Sequence, residues 1–111
     1  MSISARVFRV APAIVALGLL LFVGGPALAA VRTVAIDGNK FDPETIIAKA
    51  GDTVVWINKD PFPHTVTSQA GGFDSKEIAA GKAWQFKTSK PGVFPYACTF
   101  HPTMKATLKV E

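Results

Sequence analysis

Tyr96-Ala97-Cys98-Thr99-Phe100-His101-Pro102-Thr103-Met104 contains the only cysteine of this 111-residue chain. Within it a thiol, an imidazole and a thioether recur at three-residue intervals, Cys98, His101 and Met104, in a short loop broken by Pro102. That is a metal-ligand spacing. The chain's other histidine, His64, stands far upstream in Pro61-Phe62-Pro63-His64-Thr65-Val66, where a loop enters a strand. Both histidines can therefore serve one site. One thiolate, two imidazoles and a weak thioether are the donors of a trigonal copper centre with a long axial methionine. The candidate metal ligands are His64, Cys98, His101 and Met104, for one copper ion per chain.

Taken singly, each of these residues has a plainer reading. A cysteine in an apolar strand is commonly a small buried hydrophobe, a histidine between Pro and Thr is commonly a loop residue, and a methionine near a strand start is commonly core. The joint pattern outweighs them, because both histidines and the only cysteine fall where one copper plane needs them. Zinc accepts a thiolate and two imidazoles but has no use for Met104 and favours a closed tetrahedral set. A Cys-His hydrolase needs an orienting Asn or Asp and oxyanion donors, which nothing near Cys98 supplies. Haem attachment needs a second cysteine before the histidine. The chain is accordingly read as a carrier and not an enzyme.

Outward from the ligand loop the chain is all-β in pattern. Short runs rich in Val, Ile, Thr and aromatics are separated by Gly, Pro, Asn and Asp. Val93 to Cys98 and Lys105 to Val110 read as the strands flanking the loop. Pro95 lies inside the first of them, where a proline must face an edge or a bulge. Ala83 to Thr88 alternates, with Trp84, Phe86 and Thr88 opposite Ala83, Gln85 and Lys87, before the turn Ser89-Lys90-Pro91-Gly92. Thr53 to Asn58 is largely apolar on both faces and reads as a central strand. The two prolines of Lys59-Asp60-Pro61-Phe62-Pro63 make a loop that delivers His64 to a strand running to Ser68. Gln69 to Lys76 reads as irregular, and Glu77 to Lys82 fits either a half turn of helix or a poor strand. Upstream, Val31 to Ile36 and Thr45 to Lys49 are strands, joined through the turn Asp37-Gly38-Asn39-Lys40.

The N-terminus has a different character. Arg6 and Arg9 precede an uncharged run from Val10 to Val23, then Gly24-Gly25-Pro26 and the small-residue site Ala27-Leu28-Ala29. This is the form of a secretory signal peptide over residues 1–29, cleaved after Ala29. The apolar stretch is short of the ~20 residues that span a bilayer, so no stable membrane insertion is expected after cleavage. Of 12 Lys and Arg in the whole chain, Arg6 and Arg9 leave with that segment. The remaining basic residues are spread singly against 8 Asp and Glu. No run among them would track a phosphate backbone, which excludes nucleic acid as a partner. Residues 30–111 make one small monomeric domain, of a size that buries about 60–65% of its unfolded surface. An exported chain with one cysteine cannot staple itself internally, and a lone thiol in an oxidising compartment is expected to be buried or occupied.

Seven to eight strands at such intervals suggest a Greek-key β-sandwich, in which loops gather at the two ends and His64 can meet Cys98. The residues Phe41-x-Pro43, Gly51-Asp52-Thr53-Val54-x-Trp56-x-Asn58, Pro63-His64-x-Val66 and Gly92-x-Phe94-x-Tyr96-x-Cys98-x-x-His101-x-x-Met104 together resemble the plastocyanin-like cupredoxin family. The two-residue gap between His101 and Met104, and Pro102 after the histidine, most resemble its amicyanin subgroup. The resemblance implies a type 1 blue copper site, residence in the bacterial periplasm and one-electron exchange with a c-type cytochrome, dehydrogenase or reductase docking near His101. It also implies that Asn58 helps tether the ligand loops by hydrogen bonds. The alternative is a periplasmic carrier or storage protein that passes on the copper ion itself.

Overall fold

A computed structural model describes residues 28–111; the expected signal peptide over residues 1–29 lies almost wholly outside the described residues. Eight strands follow in order: β1 (Val31–Ile36), β2 (Phe41–Asp42), β3 (Thr45–Ala48), β4 (Thr53–Asn58), β5 (Thr67–Ser68), β6 (Ala83–Lys87), β7 (Gly92–Ala97) and β8 (Lys105–Val110). They form two four-stranded sheets, ordered β2-β1-β4-β6 and β3-β8-β7-β5. Among the described residues there is no helix, and the all-β sandwich expected from the sequence is what the chain adopts.

The local patterns explain the layers. In β4, Val54, Trp56 and Asn58 are buried while Thr53, Val55 and Ile57 are partly covered, as befits a strand held between parallel β1 and antiparallel β6. Period-2 alternation sends Val34 and Ile36 of β1 inward beside them, to meet Tyr96, Ala106, Leu108 and Val110 from the second sheet. Aromatic rings fill the space between. Trp56 and Tyr96 meet edge-on with centroids 5.6 Å apart, Phe41 sits 4.8 Å from Tyr96, and Phe73 lies 4.8 Å from Phe86. The segment Gln69 to Lys76 is irregular as expected, yet Phe73 within it is buried in the core.

Several expectations are adjusted. The strand read from His64 to Ser68 is regular only over Thr67 and Ser68, because His64 leaves the ladder to form a single bridge with Ile78. That bridge also settles the start of Glu77 to Lys82: Ile78 is bridged and Ala79 to Lys82 closes a tight turn, Lys82 N–H donating to Ala79 O at 3.0 Å with Gly81 at φ 76°, so the segment is neither helix nor regular strand. Pro95 sits within a continuous β7–β8 register opposite Thr107. Its carbonyl accepts Gln69 N–H at 3.0 Å, just beyond the end of β5. A residue's N and C=O point the same way along a strand, so the missing N–H faces the place where a two-residue strand has already ended.

Opposite the histidine end, a polar knot closes the sandwich. Asp52 accepts Ala30 N–H at 2.8 Å and Lys49 N–H at 2.9 Å, and Thr88 donates its hydroxyl to the Asp52 and Lys49 carbonyls. Gly51 makes the turn at φ 99°, a conformation side chains rarely adopt. The Ala30 and Lys49 amides and the nearby Arg32 guanidinium, outweighing burial, hold the Asp52 carboxyl below its usual 3.8. A depressed folded pKa contributes stability above the unfolded value and loses it as pH falls through the folded one. Conversely, burial pushes the Tyr96 hydroxyl up to about 12, so the unfolded chain ionises first and stability falls as pH rises past about 10. Melting temperature should therefore decline below about pH 4 and above about pH 10. Asp52→Asn should flatten the acid limb and Tyr96→Phe the alkaline one; limbs unchanged in these variants would refute both assignments.

Candidate metal centre

Two loops meet at one end of the sandwich. The first leaves β4 and carries Asp60, Phe62 and His64; the second joins β7 to β8 and carries Cys98 to Met104. Asn58, at the end of β4, shapes the first loop. Its amide donates to the Phe62 carbonyl at 2.9 Å and the Ile78 carbonyl at 3.0 Å, and its Oδ1 accepts Asp60 N–H at 3.0 Å. The second loop is wound on its own backbone: His101 N–H donates to Cys98 O at 3.3 Å, Met104 N–H to His101 O at 2.8 Å, and Cys98 N–H to Met104 O at 3.1 Å. This winding is why the candidate ligands at three-residue spacing share one small turn.

His64 is fully buried, Cys98 is fully buried and His101 is partly buried. Although 34 residues apart in sequence, His64 Nδ1 and Cys98 Sγ are 3.7 Å apart, and His101 Nδ1 lies 3.9 Å from the same sulfur. The three donor atoms all fall within 4.8 Å of one another. A first-row ion at about 2.0 Å from nitrogen and 2.3 Å from sulfur would separate N and S by about 3.7 Å in a trigonal plane, and by about 3.5 Å in a tetrahedron. The observed spacings leave room for one such ion among the three donors. Met104 is buried in the same core cluster as Cys98, and its carbonyl accepts Cys98 N–H at 3.1 Å. A soft thiolate, two imidazoles and a thioether in such an arrangement fit copper by donor chemistry as well.

A family model described as a cupredoxin-like domain matches residues 13–110. The chain belongs to the cupredoxin-like family. Among its relatives, it is 32% identical over 77 residues to amicyanin-alpha of Methylorubrum extorquens, covering 65% of this chain and 65% of that protein. It is 29% identical over 89 residues to plastocyanin of Scenedesmus fuscus, covering 64% of this chain and 86% of that protein. The match spans less than two thirds of the amicyanins' own length: 59% for that of Paracoccus denitrificans. Among solved structures, an oxidized amicyanin mutant superposes with a TM-score of 0.68 at 28% identity, over 72% of this chain and 81% of that one. A purple cupredoxin from Nitrosopumilus maritimus gives 0.67 at 26% identity, over 72% and 99%. The cofactor of this cupredoxin is accordingly a type 1 copper ion.

The surroundings of the cluster hold two residues that the sequence did not single out, Thr65 and Asp60. Thr65 N–H donates to Cys98 Sγ at 3.3 Å, a contact that steadies a thiolate. The Thr65 hydroxyl accepts Thr99 N–H at 2.9 Å and pairs with the Thr99 hydroxyl at 3.2 Å. The tether expected of Asn58 is thus divided. Asn58 secures only the loop that bears His64, and Thr65 is what joins that loop to the one bearing Cys98. The position directly after a histidine ligand was the available signal, since its backbone must run beside the thiolate. Phe62 packs against both imidazoles, its ring 5.3 Å from His64 and 6.1 Å from His101, and it is 38% exposed, so it caps the site from outside. Asp60 is buried with Oδ2 only 2.7 Å from His64 Nε2. Burial works against its ionisation, but the Asn39 and Gly38 amides and His64 together hold its carboxyl below the ordinary value.

Proposed function

We propose that this cupredoxin is a periplasmic type 1 copper protein that shuttles single electrons between redox protein partners and performs no catalysis itself. The observation that carries the reading is the convergence of two imidazole Nδ1 atoms, at 3.7 and 3.9 Å, on one buried cysteine sulfur. His64, Cys98, His101 and Met104 would hold the ion, which supplies a Cu(II)/Cu(I) couple tolerant of one geometry in both states. The protein's part is to keep that geometry fixed. Wound backbone bonds in the 98–104 loop and the Thr65 link between loops leave the donors little freedom to rearrange when an electron arrives. Burial of His64 and Cys98 excludes water, while His101, partly exposed, opens towards a partner. Phe62 and Phe100, the latter 50% exposed, flank it together with Pro102. Such an apolar rim suits brief docking of a c-type cytochrome, dehydrogenase or reductase.

The ion-carrier alternative is disfavoured by the donor set. A site built to surrender copper would offer several open thioethers, whereas the cluster has Met104 alone, and it is buried. The two functions separate in one experiment. The purified copper-loaded protein should show an intense blue absorption and a reversible one-electron wave, with copper retained through repeated cycles beside a Cu(I) chelator. Prompt loss of Cu(I) to the chelator, with no reversible wave, would assign the protein to ion transfer instead.

A further inference from the structure

A carboxylate stands behind the His64 imidazole, on the side away from the cysteine. Asp60 is 6% exposed. Its Oδ1 accepts Gly38 N–H at 2.7 Å, and its Oδ2 accepts Asn39 N–H at 3.0 Å while lying 2.7 Å from His64 Nε2. The two amides come from the turn between β1 and β2, where Gly38 has φ 62° and Asn39 φ 60°. Consecutive N–H groups in such a turn point into one concavity that suits an anion. Among the described ion pairs Asp60 meets no lysine or arginine, and the one side chain it faces there is the His64 imidazole. Burying a carboxylate without a cation is costly. A neutral acceptor would satisfy one turn amide and the imidazole equally well, so the charge itself calls for a use. The imidazole's other nitrogen points to it: Nδ1 faces Cys98 Sγ.

We infer that Asp60 is a positioning residue of the metal centre: it holds His64 in its Nε2–H form, so that the Nδ1 lone pair is presented to copper, and its negative charge favours the oxidised ion. This rests on the ligand assignment above. The charges give the sign. A thiolate with Cu(II) leaves a net +1, and one electron from the redox partner makes it neutral. A fixed anion behind one ligand offsets the first state and nothing in the second, which lowers the reduction potential. A carboxylate bonded to the remote nitrogen of a ligating histidine also fixes ring orientation and raises ligand basicity. Through Gly38 and Asn39 the same carboxylate ties that orientation to the β1–β2 turn, so the imidazole is anchored to the sandwich by way of its own loop's Asp60.

Asp60→Asn and Asp60→Ala in the full protein, with Asp60→Glu as the conservative variant, test the inference. Asparagine keeps an oxygen for Nε2–H and loses the charge; alanine loses both. In Asp60→Asn the preference for Cu(I) should rise about tenfold, which is 59 mV for one electron. In Asp60→Ala the affinity for Cu(II) should fall about 10- to 100-fold, and glutamate should recover part of both. In the metal-free protein, nitrogen NMR should show His64 as the Nε2–H form in the wild type and a mixture of tautomers in Asp60→Ala. A residue that merely anchored the turn would lower the melting temperature without moving potential or tautomer. A potential in Asp60→Asn within about 10 mV of wild type, well under the 59 mV of a tenfold change, overturns the inference. So does a wild-type tautomer in Asp60→Ala. Should the alanine variant not fold, the near-isosteric asparagine variant carries the test. If the wild type forms no blue centre, the ligand assignment falls by itself, and the metal-free tautomer still decides what Asp60 does.

Discussion

Cys98→Ser abolishes the intense blue absorption and the reversible one-electron wave of the copper-loaded protein, while leaving the fold in place. The band originates in charge transfer from a thiolate, and the chain has no second cysteine to substitute for it. A serine hydroxyl is a hard, weakly acidic donor that does not replace a soft thiolate for either copper state. Two imidazoles would remain, from His64 and His101, so residual Cu(II) should bind weakly and give a pale spectrum. The fold survives because the new oxygen can still accept the Thr65 N–H that now reaches Sγ at 3.3 Å. Exchanging a buried sulfur for a hydroxyl should cost on the order of 1 kcal/mol, or roughly 4–8 °C in a domain of this size. Absorption and paramagnetic resonance during Cu(II) titration, with circular dichroism of the metal-free form, read all of this. A serine variant that retained the intense band would remove Cys98 from the copper site and with it the proposed function.

Trp56→Ala should be the most destabilising single change in the core. Trp56 is fully buried in the middle of β4. Its ring lies 5.6 Å from Trp84, 6.1 Å from Phe73 and 5.6 Å from Tyr96. Truncation leaves a cavity between the sheets, for which the usual loss is about 3–5 kcal/mol. A domain of roughly 80 residues has about 4–12 kcal/mol in all, so the variant should be marginal or unfolded without metal. Copper, binding only the folded chain, should recover part of the loss. Packing and hydrogen bonding can be separated, because Trp56 Nε1–H donates to Tyr96 Oη at 3.1 Å. Trp56→Phe keeps most of the apolar surface but strands that oxygen, for about 1–3 kcal/mol. Adding Tyr96→Phe should return part of this, as removing both partners is milder than removing one. Denaturant unfolding of the metal-free variants measures each step. If Trp56→Ala lost under 1 kcal/mol, far below the cavity cost, Trp56 would not be the centre of the core.

Much of this was legible before any coordinate. The edges of β1, β4 and β8 follow from the alternation of Val31 to Ile36, Thr53 to Asn58 and Lys105 to Val110, because period-2 burial writes itself directly into residue choice. Where pairing partners end early, that signal fades. The strand expected from His64 shrank to Thr67 and Ser68 because His64 and Ile78 form one isolated bridge, a long-range contact with no local pattern. Phe73 gave no sign of burial, since an irregular Gly-flanked segment carries no periodicity from which to read a face.

The same division runs through the site. The sequence by itself determined the candidate donor set, an all-β scaffold with loops at its ends, and a chain without an internal disulfide, because each depends on residue identity or short spacing. Cys98, His101 and Met104 share one turn, so their proximity needed no tertiary information. Only the tertiary structure decided that His64 would reach Cys98 Sγ, that Thr65 and not Asn58 would bind the two loops together, and that Asp60 would stand behind the imidazole on amides from a distant turn. Those contacts join segments more than twenty residues apart. Their existence depends on how two twisted sheets stack, and no local propensity of Asp, Thr or His encodes that.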